Sequence, residues 1–490
     1  MNTAGSTQRT DGARTAGRGV LSITTSKLYF IIATYAVFLA LPRLLGSPEA
    51  FGLYATTISI VAILNNVLIQ ATIQTVSKQV SARSTERPAV LRQALKLQVL
   101  IGGLLAGTLF LLAPLLAEHL LLDRTMGPLL RITSVVVFSY SLYAALVGSL
   151  NGRHLFQHQA GLDMTFTTLR TSGILGAAAL GLGVAGALGG FASASLLLLL
   201  VSLLLVGTGE PGGKIGWKQW LGFMAPLWLY HLSINLMLQV DLIVLKRTVT
   251  ALTLASSSVE PGAAMLQAGV ASVADSAVPF QAEAAQVASR YAGFYRAAQT
   301  FAFVPYQLIL SVAFVVFPLV SQAVGEQDLE SARRYIRQAM RFTLLVLLAV
   351  AAPLAGASHG VMRLAYPDAY LAGAGALTVL SFGVVCFALF VIGATSLSGG
   401  GHPGTAARIG AATVLIIVTA NLVLLNAVGV GPYTLTAAAT GTSVGMAVAL
   451  VAAGVSASLV PAGVAPALVA AGIAAALVTA AVHAAVLPAL

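Results

Sequence analysis

The sequence predicts an all-α polytopic membrane protein: two six-helix lobes related by a parallel internal repeat, plus about one extra C-terminal helix. Three observations predict it. Of 490 residues, 58% are hydrophobic and 8% charged, with a mean hydropathy of +0.91, whereas an average soluble protein is about 25% charged. The apolar residues fall in successive runs of membrane-crossing length, and about 13 spans of roughly 21 residues fill a little over half the chain. The chain also repeats itself at a near-constant offset. A string of soluble domains is excluded, and no room remains for a large extramembranous domain.

Residues 1–19 are polar, carry Arg9, Arg14 and Arg18, and read as a disordered basic cytosolic tail. The stretch from Val20 to Leu41 is too long for a signal-peptide core and lacks a small-residue cleavage site, so it is the first span. Further runs lie near 51–72, 97–117, 128–149, 165–184 and 187–206, completing an N-lobe over 20–206. A cytosolic linker, 207–218, leads to a C-lobe over 219–456, with runs near 219–245, 293–319, 340–362, 370–395, 406–427 and 434–456. A thirteenth run, 463–487, occupies the terminal segment 457–490.

Placing the N-terminus inside puts eighteen of the 26 Lys and Arg in cytosolic segments, which supports that orientation. An odd span count then puts the C-terminus outside. The net charge of +11 would point to nucleic acid in a soluble protein. Here the basic residues sit mainly in short loops, so the expected partners are lipid headgroups, with a cationic cavity for an anionic substrate as the other reading, and no nucleic acid. Cys386 lies in an apolar run and reads as a small core residue. The pair Gly213-Lys214 fails the phosphate-loop pattern, since Thr208 and Ile215 stand at its ends. Seven scattered His and one Cys give no zinc signature, so neither metal nor cofactor is expected.

The repeat joins four matches in one order. Arg92-Gln93-Ala94-Leu95-Lys96 recurs as Arg337-Gln338-Ala339-Met340-Arg341, offset 245, and Val76-Ser77 as Val320-Ser321, offset 244. Gly52-Leu53-Tyr54 matches Gly293-Phe294-Tyr295, offset 241, and Gly152-Arg153-His154 loosely matches Gly400-Gly401-His402, offset 248. A unit of six spans is even, so both copies share one orientation and an axis along the membrane normal relates them, the plan that places a substrate cavity between two bundles. The basic segments 76–98 and 320–342 read as amphipathic pieces at the inner interface, or as topology-setting charge alone. One copy carries an insert, 246–292, placed on the outer face. Within it Ser256-Ser257-Ser258 and Glu260-Pro261-Gly262 read as turns, and 281–290 as a helical lead-in to the eighth span.

Leu41-Pro42-Arg43-Leu44-Leu45-Gly46 followed by Phe51-Gly52-Leu53-Tyr54-Ala55 resembles the opening of Wzx-type polysaccharide flippases. Asp241, Gly293-Phe294-Tyr295-Arg296-Ala297-Ala298, Phe317-Pro318-Leu319-Val320-Ser321 and Ser398-Gly399-Gly400-Gly401-His402 extend the resemblance over about 20–456. It implies the superfamily of multidrug, oligosaccharidyl-lipid and polysaccharide exporters, with two six-helix lobes and alternating access. The Wzx branch implies movement of undecaprenyl-pyrophosphate-linked oligosaccharide from the inner to the outer leaflet of the bacterial inner membrane, for O-antigen, capsule or exopolysaccharide. The insert and the odd final span depart from that pattern.

Such a cargo calls for cations for its diphosphate and a polar cavity for its glycan. The candidate cations are Lys27, Arg153, Arg170 and Arg296, each weighed against snorkelling to the interface. Arg170 leads, because it stands about two turns into its helix with Asp163 seven residues earlier on the same face. Two amide stripes at i, i+4, i+8 complete the candidate cavity: Asn66, Gln70 and Gln74 in the second span, and His231, Asn235 and Gln239 in the seventh. Interhelical hydrogen bonding is the competing reading of both. Asp241 and His231 are the candidates for coupling or gating by a proton or sodium ion. Asp241 has a second reading, an outer-surface pair with Lys246 or Arg247. The expected partners are a polyprenyl-pyrophosphate-linked glycan, membrane lipids and a polysaccharide polymerase. A multidrug-type cation antiporter and a lipid II flippase remain as alternatives on the same fold. A membrane polymerase, ligase or glycosyltransferase using Glu260, Asp275, Glu283 and Arg290 of the insert is a third, against the expectation of a non-enzyme.

Overall fold

The computed structural model describes residues 4–212, 215–268, 273–307, 320–400 and 402–459, and every regular element among them is helical. In chain order these are α1 (Ala4–Leu45), α2 (Pro48–Ala82), α3 (Arg87–Leu115), α4 (Met126–Gly152), α5 (Phe156–Ala179), α6 (Gly183–Val206) and α7 (Trp217–Ala268). There follow α8 (Val273–Ala302), α9 (Leu329–Gly356), α10 (Ser358–Ala365), α11 (Ala374–Gly399), α12 (Pro403–Val428) and α13 (Thr434–Leu459). A π-turn, Leu116–Leu120, extends α3, and a 3-10 turn, Asp368–Gly373, leads into α11.

Ten of the described helices are long and apolar enough to cross a membrane, and the protein is a multi-pass membrane protein. The expected fifth span is present as α5, but Gln157, Asp163 and Arg170 keep it more polar than those ten. The expected eighth span lies partly, and the thirteenth wholly, outside the described residues. Two expectations are corrected. The polar N-terminal tail is helical from Ala4 onward, as an extension of α1. The insert is not a loop: α7 runs unbroken through Ser256–Gly262 to Ala268, and α8 begins at Val273. Serines and a single Pro-Gly were read as turn signals, but Ala, Leu and Met dominate the flanks, and propensity summed over the window outweighs single breakers. The helical lead-in over 281–290 is part of α8. The basic segment after residue 320 resolves into a helical piece over 320–325 and then α9, whose N-cap Asp328 accepts a 3.0 Å bond from the Ser331 amide. That bond holds the Asp328 carboxyl below its ordinary range.

Close contacts divide the chain into two units. Unit 1 comprises 1–45, 61–116 and 125–232; unit 2 comprises 46–60, 117–124 and 233–490. In unit 1, α1 and α5 run parallel in one register. Lys27 meets Asp163 and Thr34 meets Arg170, the same offset of 136 each time. Helices α5 and α6 cross at Gly173 and Gly190, where a Cβ on either would come within 2.6 Å or 2.1 Å of the other's carbonyl oxygen. The core below gathers Val90, Leu91, Leu95, Leu146, Trp220 and Met224. The segment after α6 docks on the start of α3, through Glu210 N–H to Pro88 O at 3.3 Å and Ile215 N–H to Gln93 Oε1 at 2.9 Å.

In unit 2, α11 is enclosed on all sides, with every residue from Val384 to Ile392 buried and Cys386 among them. The start of α2 meets α8 reciprocally. A Cβ on Gly52 would lie 1.8 Å from Ser289 O, and one on Gly293 2.2 Å from Pro48 O. Adding 241 to 48 and 52 gives 289 and 293, so each contact is the other's equivalent. Glu49 and Arg290, themselves separated by 241, form an ion pair. Reciprocal contacts between n and n+241 are what a two-fold axis imposes on a self-facing surface. Phe51 and Phe294 both turn ring edges to Tyr370, at 6.1 and 5.7 Å.

Beside this contact, Lys246 is fully buried. Its Nζ donates to Asp123 Oδ2 at 2.7 Å and to Ser289 Oγ at 2.8 Å. Next to it Arg247 donates to the carbonyls of His119 and Leu120, at 2.9 and 3.1 Å, which the π-turn leaves free. Residues 117–124 are thus tied to α7 by two consecutive cations.

Two stability outcomes follow, both read as melting temperature in detergent. K246M strands a buried carboxylate and should cost about 3–5 kcal/mol, whereas K246M/D123L should recover most of it; equal losses would mean the pair is not what holds 117–124. G52A and G293A should each destabilise strongly, because the clashing atoms are backbone, while G46A, with nothing near its side-chain position, should lose only the αL strain of its φ of +73°.

Candidate substrate and coupling sites

The first site lies in unit 1, along the α1–α5 seam. The Arg170 guanidinium stands 5.4 Å from the ring centres of both Phe30 and Phe191, a double cation–π contact. Its Nη1 reaches Thr34 Oγ1 at a long 3.4 Å, and its Nε is sealed from solvent without an acceptor. Two turns earlier Asp163 accepts from Tyr143 Oη at 2.8 Å and lies 3.9 Å from Lys27 Nζ. The expected common face of Asp163 and Arg170 is therefore the face turned to α1. No ion pair joins Asp163 to Arg170: Tyr143 bonds its Oδ1, and its Oδ2, with Lys27 at 3.9 Å, has no hydrogen-bond partner among the described residues. Arg170 remains a cation held by aromatic faces and one weak hydroxyl, with donor capacity to spare.

The amide stripe of α2 is exposed at Asn66, Gln70 and Gln74, and Lys78 continues it one turn on. Its neighbours Leu68, Ala71 and Val76 are buried. Gln74 Nε2 lies 3.2 Å from His231 Nε2, and Lys78 Nζ sits 3.8 Å above the Phe223 ring, so the stripe also meets the first half of α7. The second stripe divides: His231 belongs to unit 1, Asn235 and Gln239 to unit 2. Asn235 is buried and Gln239 half-buried.

The second site lies in unit 2. Asp241 is fully buried, and its carboxylate collects donors from four directions. Tyr295 Oη reaches Oδ2 at 2.9 Å, Thr442 Oγ1 reaches it at 3.2 Å, and the Leu242 amide reaches Oδ1 at 2.8 Å. Gln299 Nε2 spans both oxygens at 3.1 and 3.0 Å. Behind them Asn421 Nδ2 donates to Thr442 Oγ1 at 3.2 Å, and Arg296 Nη1 lies 3.4 Å from both Gln299 Oε1 and Gln239 Oε1. Positive charge thus reaches Asp241 through one amide rather than directly. The expected pairing of Asp241 with Lys246 or Arg247 at an outer surface is overturned, since both cations are committed to residues 117–124. Asp241 and His231 fall in different units.

Of the four candidate cations, Arg170 and Lys27 share the first site, Arg296 belongs to the second, and Arg153 stands apart at the end of α4. The sequence did not single out Tyr143, Phe30 and Phe191, or Tyr295, Gln299, Thr442 and Asn421. Tyr295 and Gln299 at i, i+4 were legible as a local pair; Thr442, 201 residues from Asp241, carried no local signal.

Residues 16–324 match the family model described as polysaccharide biosynthesis protein. The chain belongs to that family. A search of curated proteins returned no match. Among solved structures, the lipid II flippase MurJ in an inward closed conformation aligns at 14% identity with a TM-score of 0.66, covering 95% of this chain and 92% of that one. A multidrug resistance MATE family transporter of the MOP superfamily, inward-facing, aligns at 16% identity and a TM-score of 0.65, covering 87% and 94%. An outward-facing one aligns at 15% and 0.61, covering 94% and 96%. The family member therefore has the fold of MOP-superfamily transporters, as the resemblance to Wzx-type flippases implied.

Hydrogen bonds to a charged group contribute about 1.5–3 kcal/mol each. Y295F should lower stability by that order, and much less in a D241N background. A double-mutant cycle on thermal unfolding in detergent checks this, and a cost unchanged by D241N would mean that Tyr295 does not act through the carboxylate.

Proposed function

We propose that this polysaccharide biosynthesis family member is a flippase, moving polyprenyl-pyrophosphate-linked oligosaccharide from the inner to the outer leaflet by alternating access of two six-helix lobes. The observation that carries the reading is α2: a span otherwise apolar presents Asn66, Gln70 and Gln74 to exposure at successive turns. Exposed amides on a membrane helix are tolerable against a water-filled cavity and costly against hydrocarbon. Amides, hydroxyls and aromatic faces are what a glycan needs, and the uncommitted donors of Arg170 suit a diphosphate. The reciprocal contacts at offset 241 support two equivalent halves.

Asp241 takes the coupling role in this reading. A carboxylate without solvent contact, ringed by donors, stores a proton or sodium ion site away from the cargo, and binding or release there changes the charge of a sealed network. At the first site the carboxylate of Asp163 lies near two cations, Lys27 at 3.9 Å and Arg170 two turns on, so an anionic cargo is favoured over multidrug antiport. A polymerase or ligase would place its carboxylates in an outer domain, whereas residues 260 and 275 lie in the helices of α7 and α8 and Glu283 is an exposed residue of α8.

In cells depleted of the protein, lipid-linked oligosaccharide should accumulate on the cytosolic leaflet, protected from a membrane-impermeant glycan-modifying reagent, and surface polymer should fall. Accumulation on the outer leaflet would instead indicate polymerisation or ligation. R170A should reproduce the block and R170K relieve it in part, since Lys keeps the charge and loses the planar fork. D241N should abolish transport while the protein still reaches the membrane. Replacing Glu260, Asp275 and Glu283 by amides should leave export intact.

A further inference from the structure

Arg87 and Arg153 form a second cationic site in unit 1, at the start of α3 and the end of α4 rather than along the α1–α5 seam that holds Arg170. Arg87 opens α3 and Arg153 caps the end of α4. The two helices are packed antiparallel neighbours, so the start of one lies at the end of the other. The end of α2 closes the group: Ser81 Oγ donates to Gly152 O at 3.2 Å, and a Cβ on Gly152 would lie 2.7 Å from Ser77 O. Both arginines are half-buried, and each has its Nε sealed from solvent with no acceptor.

Among the described residues, no acid forms an ion pair with either guanidinium. Glu86, the one acid between residues 76 and 98, is held by Arg83 at 3.7 Å, and Arg83 also bonds Gln219. Glu210 has its backbone against Pro88, yet its carboxylate is in no ion pair among the described residues. Burial first, and then the charge of Arg87, disfavour the protonated form of Arg153. A cation at the C-terminal end of α4 is explained by the helix dipole. Two like charges brought together, each with a sealed and unused donor, are not, because a buried unpaired donor costs stability.

We propose that Arg87 and Arg153 hold a phosphoryl oxyanion carried by an amphiphile. Guanidinium groups offer in-plane pairs of donors that match phosphate oxygens. Among the described residues, the Nε of each member lacks an acceptor. Two sources share the chemistry, the headgroup of an anionic phospholipid and the diphosphate of a polyprenyl carrier, and the site does not depend on the transport reading.

The test uses the full-length protein purified in detergent, with melting temperature read by intrinsic fluorescence and bound lipid counted by native mass spectrometry. The probes are phosphatidylglycerol, farnesyl diphosphate and, as a neutral control, phosphatidylcholine. A ligand bound only by the folded protein raises the melting temperature with its concentration. At least one anionic probe should raise it and phosphatidylcholine should not. R87Q and R153Q should each weaken that probe about 10-fold or more, the loss of one charge-assisted contact. R87K/R153K, which keeps both charges, guards against misfolding and should retain part of the affinity. R92Q, an exposed change on the same helix, should leave it intact. Without ligand, R153Q should melt no lower than the parent, since it removes repulsion. Phosphatidylglycerol alone giving the shift assigns the site to bilayer lipid; displacement of it by farnesyl diphosphate assigns the site to a carrier diphosphate. Equal losses in R92Q and R153Q, or no shift with either anion, would overturn the proposal.

Discussion

A charge withdrawn from water into a helical bundle must find its counter-charge or its donors within the bundle, because hydrocarbon supplies neither. Lys246 meets that constraint with a carboxylate at 2.7 Å and a hydroxyl at 2.8 Å. Asp241 meets it with donors alone. Arg170 meets it with the faces of two rings and one distant hydroxyl. Much of the architecture follows from these solutions. Lys246 with Arg247 ties residues 117–124 to α7, and Asp241 draws α7, α8 and α13 onto one polar centre. Arg170 with Lys27–Asp163 fixes the register of α1 on α5.

Close approach of backbones is the other half of that account. Hydrophobic attraction between helices is weak in a lipid solvent, so contact surfaces depend on small residues that let main chains touch. Gly173 with Gly190 does this for α5 and α6, and Gly52 with Gly293 for α2 and α8. At the second contact the packing is reciprocal about an offset of 241, and Glu49–Arg290 spans the same offset. A self-facing contact of this kind constrains both copies at once: a side chain added at one glycine meets the backbone beside the other.

The sequence made the helical class plain, since 8% charge and successive apolar runs leave few alternatives. The sequence matches at a near-constant offset paired Gly52 with Gly293, and the two glycines are packed together. Boundaries were harder. Ser256–Gly262 looked like a turn because local breakers were weighed without the Ala- and Leu-rich flanks that continue α7. Lys246 looked like a loop residue because it adjoins Arg247, and its acid stands 123 residues away. The same distance problem hid the partners of Asp241: a stripe along one helix is readable from its period, whereas the helices closing around it are not. Arg170 was singled out by its depth in an apolar stretch, but nothing local showed that aromatic rings rather than Asp163 would hold it.

The contrast between the two classes of charge bears on how a carrier of this fold works. Lys246 and Asp241 have their hydrogen-bonding capacity largely spent inside the protein, so moving either alone would expose a large electrostatic penalty; they move with their surroundings or not at all. Arg170 is held by cation–π contacts that do not saturate its N–H donors, and an anion can approach it without first breaking an ion pair. In the proposed flippase reading, discrimination rests on the same difference. Arg170 repels a cation and keeps donors for an oxyanion, while Asp163 lies beside Lys27, at 3.9 Å. Under that proposal, selection of an anionic cargo at this point needs only an arginine whose donors are not all used.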